Sequence, residues 1–207
     1  MKIVIGEIEN YTPVLKDTLK YIVIKPSWNL PRSIAIEEKL PKIKSDSTYL
    51  ERYNYMLLKD SYISKDTINP DSVDWLEMNK ENFPYYIVQT PGKHNALGRI
   101  KFLFPNHHTI YMHDTPAKQL FDVNERDFSH GCIRLEKPFE LALEIPDAKM
   151  SWLEMQEILE SEETTTITLN ETVNVHFLYS TAWVDDQNRI HFRKDLYNFD
   201  GMTAEKL

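Results

Sequence analysis

Cys132 is the sole cysteine of the chain, and it sits in the run Phe128-Ser129-His130-Gly131-Cys132-Ile133-Arg134. A second imidazole, His113, lies in Ile110-Tyr111-Met112-His113-Asp114-Thr115-Pro116. Only about 3% of a thiol with an ordinary pKa is ionised at neutral pH, so a neighbouring base is what turns a cysteine into a useful nucleophile. His113 and His130 are the two candidates. Gly131 lets the backbone approach a ligand closely or take an angle that other residues resist. The amides beside Cys132 are then available as an oxyanion hole. The chemistry these residues suit is acyl transfer, in which a thiolate attacks a carbonyl, a tetrahedral intermediate collapses to a thioester, and a second nucleophile releases it. Three other readings compete. Cys132 is a small buried hydrophobe, or it joins His107, His108, His113 and His130 in a zinc site, or one of the histidines is purely structural. The zinc reading lacks a second sulfur ligand and any common ligand spacing.

Strands and turns must position these groups. Residues 110–113 alternate, so Ile110 and Met112 face one way while Tyr111 and His113 share the other face, which is placed to line a cleft. Residues 132–135 read as the start of a further strand. Residues 2–5, 21–24, 85–90, 100–104, 164–169 and 173–179 are β-prone. Residues 181–184 and 189–192 form a hairpin around the polar turn 185–188. Lys137-Pro138 opens a helix to about residue 143, and the capping box Ser151-x-x-Glu154 starts another to about residue 160. Its acidic stretch 153–163 reads as solvated surface. Residues 27–82 have a different texture. A helix starts at Pro31 and is stopped by Pro41, and a second is signalled by the capping box Thr48-x-x-Glu51 with Leu50, Tyr53 and Leu57 on one face. The expected fold class is therefore mainly β with an α insertion.

At 207 residues the chain makes one domain, or one domain with a sizeable insertion. It is 42% hydrophobic and 12% aromatic, enough for a substantial core. The net charge of -8 argues against a nucleic-acid surface. No apolar run approaches the ~18 residues of a membrane span. Residues 1–6 are too short for a signal-peptide core and carry no cleavage site, so export is not encoded there.

His113, the intervening residues 114–128, and Ser129-His130-Gly131-Cys132-Ile133-Arg134 resemble the signature of L,D-transpeptidases with a YkuD-type catalytic domain. The runs at 26–31, 95–102, 104–106, 111–116, 131–134 and 181–185 resemble the capped YcbB-like branch, and the likeness extends over almost the whole chain. The resemblance implies a β-sandwich catalytic core with a helical capping subdomain at about 27–82, acting as a lid. It implies Cys132 as nucleophile and His113 as general base, with the backbone carbonyl of Asp114 orienting the imidazole. The Asp114 side chain is the alternative orienting group; His130 is the alternative base, or else shapes the turn or donates to the bound carbonyl. The Gly131 and Cys132 amides, with the Tyr111 hydroxyl, would hold the oxyanion. Arg134 and Ser129 are the candidate substrate-binding residues. Arg134 either forks onto a stem-peptide carboxylate or pins the Cys132 loop through backbone carbonyls. The implied substrate is a peptidoglycan tetrapeptide stem, cleaved before its terminal D-Ala and passed to a second stem (a 3→3 cross-link) or to water. No metal or organic cofactor is implied. Carbapenem-type β-lactams are implied as covalent inhibitors, and the periplasm or cell envelope as the location. Other classes are an envelope cysteine hydrolase and an impaired wall-binding module. In the resembled family an additional strand precedes the N-terminal region, and its absence predicts an exposed sheet edge there.

Overall fold

The computed structural model describes residues 1–204. β1 (Ile3–Gly6) leads through a 3-10 turn into β2 (Leu15–Ile24), which is longer than the apolar run 21–24 alone suggests. The polar half of β2 is held in strand form by its partner, β11 (Thr165–Phe177), whose Thr, Ile and Val residues suit a pleated surface. β7 (Ile100–Leu103), β8 (Met112–His113), β9 (Asp127–Ser129) and β10 (Ile133–Leu135) complete a seven-stranded sheet in the order β11-β2-β7-β8-β10-β1-β9. The sheet is mixed, because β10 runs parallel to β8, and β1 runs parallel to β9. The expected open edge near the N-terminus is absent. β1 lies between β10 and β9, and the edges are β11 and β9.

The two β-prone runs at 164–169 and 173–179 are one strand interrupted by a bulge. Its register against β2 shifts between Thr168 and Val173. The amides of Asn170 and Glu171, released from the ladder there, donate to the carboxylate of Asp147. Those hydrogen bonds hold the Asp147 carboxyl below its ordinary range. Two helices pack on the sheet, α4 (Pro138–Glu144) through Ala142 and α5 (Trp152–Glu160) through Met155, which is fully buried among Ile22, Phe102 and Leu169. Burying such a side chain contributes about 1.5–3 kcal/mol. The Ser151–Glu154 capping box forms as expected. The hairpin β12 (Ala182–Val184) and β13 (Ile190–Phe192) also forms, with Asp185 accepting from the amides of Gln187 and Arg189. The last element among the described residues is α6 (Phe199–Ala204).

The insertion is not wholly helical. It carries its own four-stranded antiparallel sheet in the order β3-β6-β4-β5, built from β3 (Trp28–Asn29), β4 (Tyr55–Leu58), β5 (Thr67–Ile68) and β6 (Tyr86–Gln89). A second hydrophobic core, with Leu30, Leu57, Phe83 and Ile87 at its centre, is separate from that of the main sheet. Pro41 does not end the first helix. α1 (Arg32–Ile34) runs on through a π-helical segment, Ala35–Lys39, into α2 (Leu40–Ser45). The Leu40 amide reaches back five residues to the Ala35 carbonyl, a wider turn that makes room for a proline lacking its N–H. α3 (Tyr49–Arg52) is a single turn, and the Thr48 capping box does not form. Asp46 takes both the hydroxyl and the amide of Thr48, and Leu57 belongs to β4.

Candidate active site

β8 and β10 lie side by side in parallel register, with Met112 opposite Ile133 and His113 opposite Arg134. The Ile133 amide donates to the Tyr111 carbonyl at 3.1 Å, so the turn ending in Cys132 abuts the strand carrying Tyr111 and His113. As the alternation predicts, Ile110 and Met112 join the core, while the rings of Tyr111 and His113 lie 5.7 Å apart on the opposite face.

His113 is buried, and its Nδ1 lies 2.5 Å from the carbonyl oxygen of Asp114. A carbonyl can only accept, so Nδ1 carries the proton and Nε2 presents a lone pair. Burial pushes the imidazole down to about 3, and the positive charges of Arg134 and Lys101 act in the same direction. The Asp114 carbonyl bond opposes the shift without reversing it. His113 is therefore neutral and basic at Nε2 at neutral pH. The carboxylate of Asp114 is occupied elsewhere, accepting from the Arg99 amide at 2.9 Å and from Lys118 at 2.5 Å. It sits where a Cβ at Gly98 would have to go. The orienting group beside the imidazole is the backbone carbonyl, and the triad-like use of the Asp114 side chain is excluded by this arrangement.

Cys132 is half-buried and free. Burial pushes its thiol up, against the hydrogen bonds from the Tyr111 amide and hydroxyl and the charge of Arg134. The resting sulfur is a thiol beside a neutral imidazole, not a pre-formed thiolate. Burial keeps the Tyr111 phenol above its ordinary range and protonated. The indole of Trp28, at the base of the insertion, acts against that shift. Cys132, His113, Tyr111, Trp28, Leu97 and Arg134 share a cavity of about 380 Å³. A second cavity of about 270 Å³ adjoins it under the insertion, faced by Tyr49, Tyr53, Tyr55 and Glu38, and shares Trp28, His130 and Arg134 with the first.

The other predicted residues divide. His130 lines the same cavity, with its Nε2 engaged 2.8 Å from Glu38 of the insertion. Arg134 donates to the Phe128 carbonyl at 3.2 Å, pinning the loop, while its buried Nε has no partner among the described residues. Ser129 lines the cavity beside Cys132, but its hydroxyl is engaged within the turn. Its buried hydroxyl donates to the Cys132 carbonyl at 2.6 Å and accepts from the Gly131 amide at 3.2 Å. That bond commits the Gly131 amide to the turn, so Gly131 is not an oxyanion donor here. The Cys132 amide makes no hydrogen bond among the described residues. Gly131 has φ +104°, and a Cβ there would meet Ile110 Cδ1 at 3.0 Å, so glycine is required. Among the described residues no three His, Cys, Asp or Glu side chains converge as metal ligands. No helix among them is long and apolar enough to cross a membrane.

Two contributors carried no local sequence signal. Thr12 reaches the Gly131 carbonyl at 2.8 Å across 119 residues. Glu38 reaches His130 from the insertion. Either is a long-range contact that spacing along the chain does not encode.

A family model described as the YkuD-type L,D-transpeptidase catalytic domain matches residues 1–167. A Haemophilus influenzae protein provisionally named an L,D-transpeptidase is 34% identical over 201 residues. That alignment takes in 96% of this chain and 40% of the relative, so the chain spans less than half the relative's length.

Proposed function

The chain belongs to the family of YkuD-type L,D-transpeptidase catalytic domains, and from that premise we propose that it transfers peptidoglycan stem peptides through a thioester on Cys132. The observation that carries this reading is a thiol and a neutral imidazole in one cavity, with the imidazole proton fixed on Nδ1 by the Asp114 carbonyl.

As the sulfur attacks the carbonyl before the terminal D-Ala, its proton passes to His113 Nε2. The oxyanion is met by the Cys132 amide and the Tyr111 hydroxyl, both held before the reaction begins. Collapse breaks the C–N bond, and His113 returns the proton to the departing D-Ala amine. An amine of a second stem then attacks the thioester. Its C–N bond forms as the C–S bond breaks, and the amine proton returns by way of His113 to the sulfur. Water in place of the amine gives hydrolysis.

Arg134, which lines the cavity with a buried Nε lacking a partner among the described residues, suits a stem carboxylate. The insertion acts as a gate of the kind found in the capped branch of the family. It is tied to the nucleophile loop through Glu38–His130, and its Trp28 lines the cavity with Tyr111. The substrate places the working enzyme in the cell envelope. A carbapenem carbonyl offers Cys132 the same electrophile.

Incubation with purified disaccharide-tetrapeptide, read by mass spectrometry, tests the proposal. Loss of D-Ala with a cross-linked dimer supports transfer, and loss of D-Ala alone makes the protein a hydrolase of the same bond. An unchanged substrate with wild-type protein rejects the proposal.

A further inference from the structure

Resting on the acyl-transfer reading, we propose that Thr12 and Tyr197 are positioning residues that aim the Cys132 amide at the oxyanion. The peptide unit joining Gly131 to Cys132 is planar and trans, so its C=O and N–H point in opposite directions. Whatever fixes the Gly131 carbonyl therefore fixes where the Cys132 N–H points. Glycine at φ +104° gives this peptide plane little resistance of its own to rotation. An external hold is needed, and the fold supplies one.

The hold is a buried relay in which every proton has one permitted place. The Thr12 hydroxyl lies 2.8 Å from the Gly6 amide and 2.8 Å from the Gly131 carbonyl. An amide only donates and a carbonyl only accepts, so the hydroxyl must accept from Gly6 and donate to Gly131. Behind it, the Tyr197 hydroxyl accepts from the Thr12 amide at 3.4 Å and donates to the Gly6 carbonyl at 2.5 Å. Thr12 and Tyr197 are both buried. Bonds in such a chain polarise one another, and donation to the Gly131 carbonyl makes the Cys132 N–H a better donor on the far side of the same peptide.

Tyr197 is itself held. Its ring stacks on Tyr179 at 5.3 Å and meets Tyr11 at 5.9 Å, and its amide donates to the Tyr179 hydroxyl, which donates to Asp195. Tyr179, Asp195 and Tyr197 lie beyond residue 167, outside the stretch matched by the family model. The C-terminal segment thereby acts on the reaction without touching substrate.

Two reactions of one thiol separate this role from general support of the loop. Acylation by a carbapenem builds negative charge on a carbonyl oxygen. Alkylation by iodoacetamide forms C–S and breaks C–I, with no oxyanion. Thr12→Val should slow acylation of Cys132 by about tenfold to a hundredfold, somewhat less than outright loss of an oxyanion donor. It should leave alkylation within about twofold, since that step uses no such donor. Thr12→Ser, which keeps the hydroxyl, should recover acylation, and Tyr197→Phe should show a smaller loss of acylation alone. Should Thr12→Val not fold, Tyr197→Phe carries the test, because it keeps the ring and its packing. Equal losses in both reactions, or in neither, overturn the inference. If wild type is acylated and Thr12→Val is acylated as fast, the inference alone fails. If wild type is alkylated and never acylated, the acyl-transfer reading fails and this inference with it.

Discussion

Burying His113 as a neutral imidazole ties stability to pH in a direction that can be worked out. Its value in the fold is about 3, against 6.5 for an exposed histidine. The unfolded chain therefore binds the extra proton first. The contribution is fully present above 6.5 and is lost as pH falls toward 3. Each unit is worth about 1.4 kcal/mol, so the loss reaches about 2 kcal/mol at pH 5 and as much as about 5 kcal/mol below pH 3. The comparison is wild type against His113→Gln, whose amide does not titrate, by urea unfolding at pH 7.5 and pH 5.0. Wild type should lose about 2 kcal/mol more than the variant between the two conditions. Subtracting the variant removes the other histidines and the carboxylates. Parallel pH profiles would refute the burial argument. A wild type that gains stability at pH 5 would show that the resting pair is imidazolium and thiolate.

The same neutral pair predicts that alkylation of Cys132 by iodoacetamide rises steadily from pH 6 to pH 9, with no plateau on the acid side; a flat acid limb would reveal a pre-formed thiolate. Asp114→Ala removes the carboxylate that holds the Arg99 amide and Lys118, and should cost about 1–3 kcal/mol of stability by chemical unfolding. The folded fraction should keep much more activity than His113→Ala, and equal inactivation would return the orienting role to the carboxylate. Gly131→Ala forces a Cβ into a left-handed position against Ile110, and should lower stability by about 1–3 kcal/mol while abolishing acylation. An active, stable Gly131→Ala would show that the turn tolerates another path.

The arrangement of the candidate site was legible in the sequence because it is local. Ser129 to Arg134 form one turn and the start of one strand, and the alternation through His113 places Tyr111 beside it. The hairpin around Asp185 and the Ser151 capping box were legible for the same reason, since their hydrogen bonds close within a few residues. Where reading failed, a competing partner had taken the group. Asp46 claims the Thr48 hydroxyl and the capping box dissolves. A π turn absorbs Pro41 and the helix continues. Asp147 caps the bulge that joins two apparent strands into one. The insertion at 27–82 read as helical because the strands within it, β3, β4 and β5, are only two to four residues long, too short to show a period. Ser129 and Gly131 sit inside the recognised signature, yet their hydrogen bonds close the turn, and no spacing rule distinguishes that from substrate contact. The hold on Gly131 comes from Thr12 and Tyr197, residues 185 apart, and only the folded sheet brings them together.

The most direct test of the central claim is intact mass after exposure to a carbapenem, run in parallel on wild type, Cys132→Ala and His113→Ala. A single drug-sized adduct on wild type, none on Cys132→Ala, and strongly slowed labelling of His113→Ala is the predicted result. An adduct that persists on Cys132→Ala, or a folded wild type that stays unlabelled, would contradict an acyl-accepting thiol at Cys132.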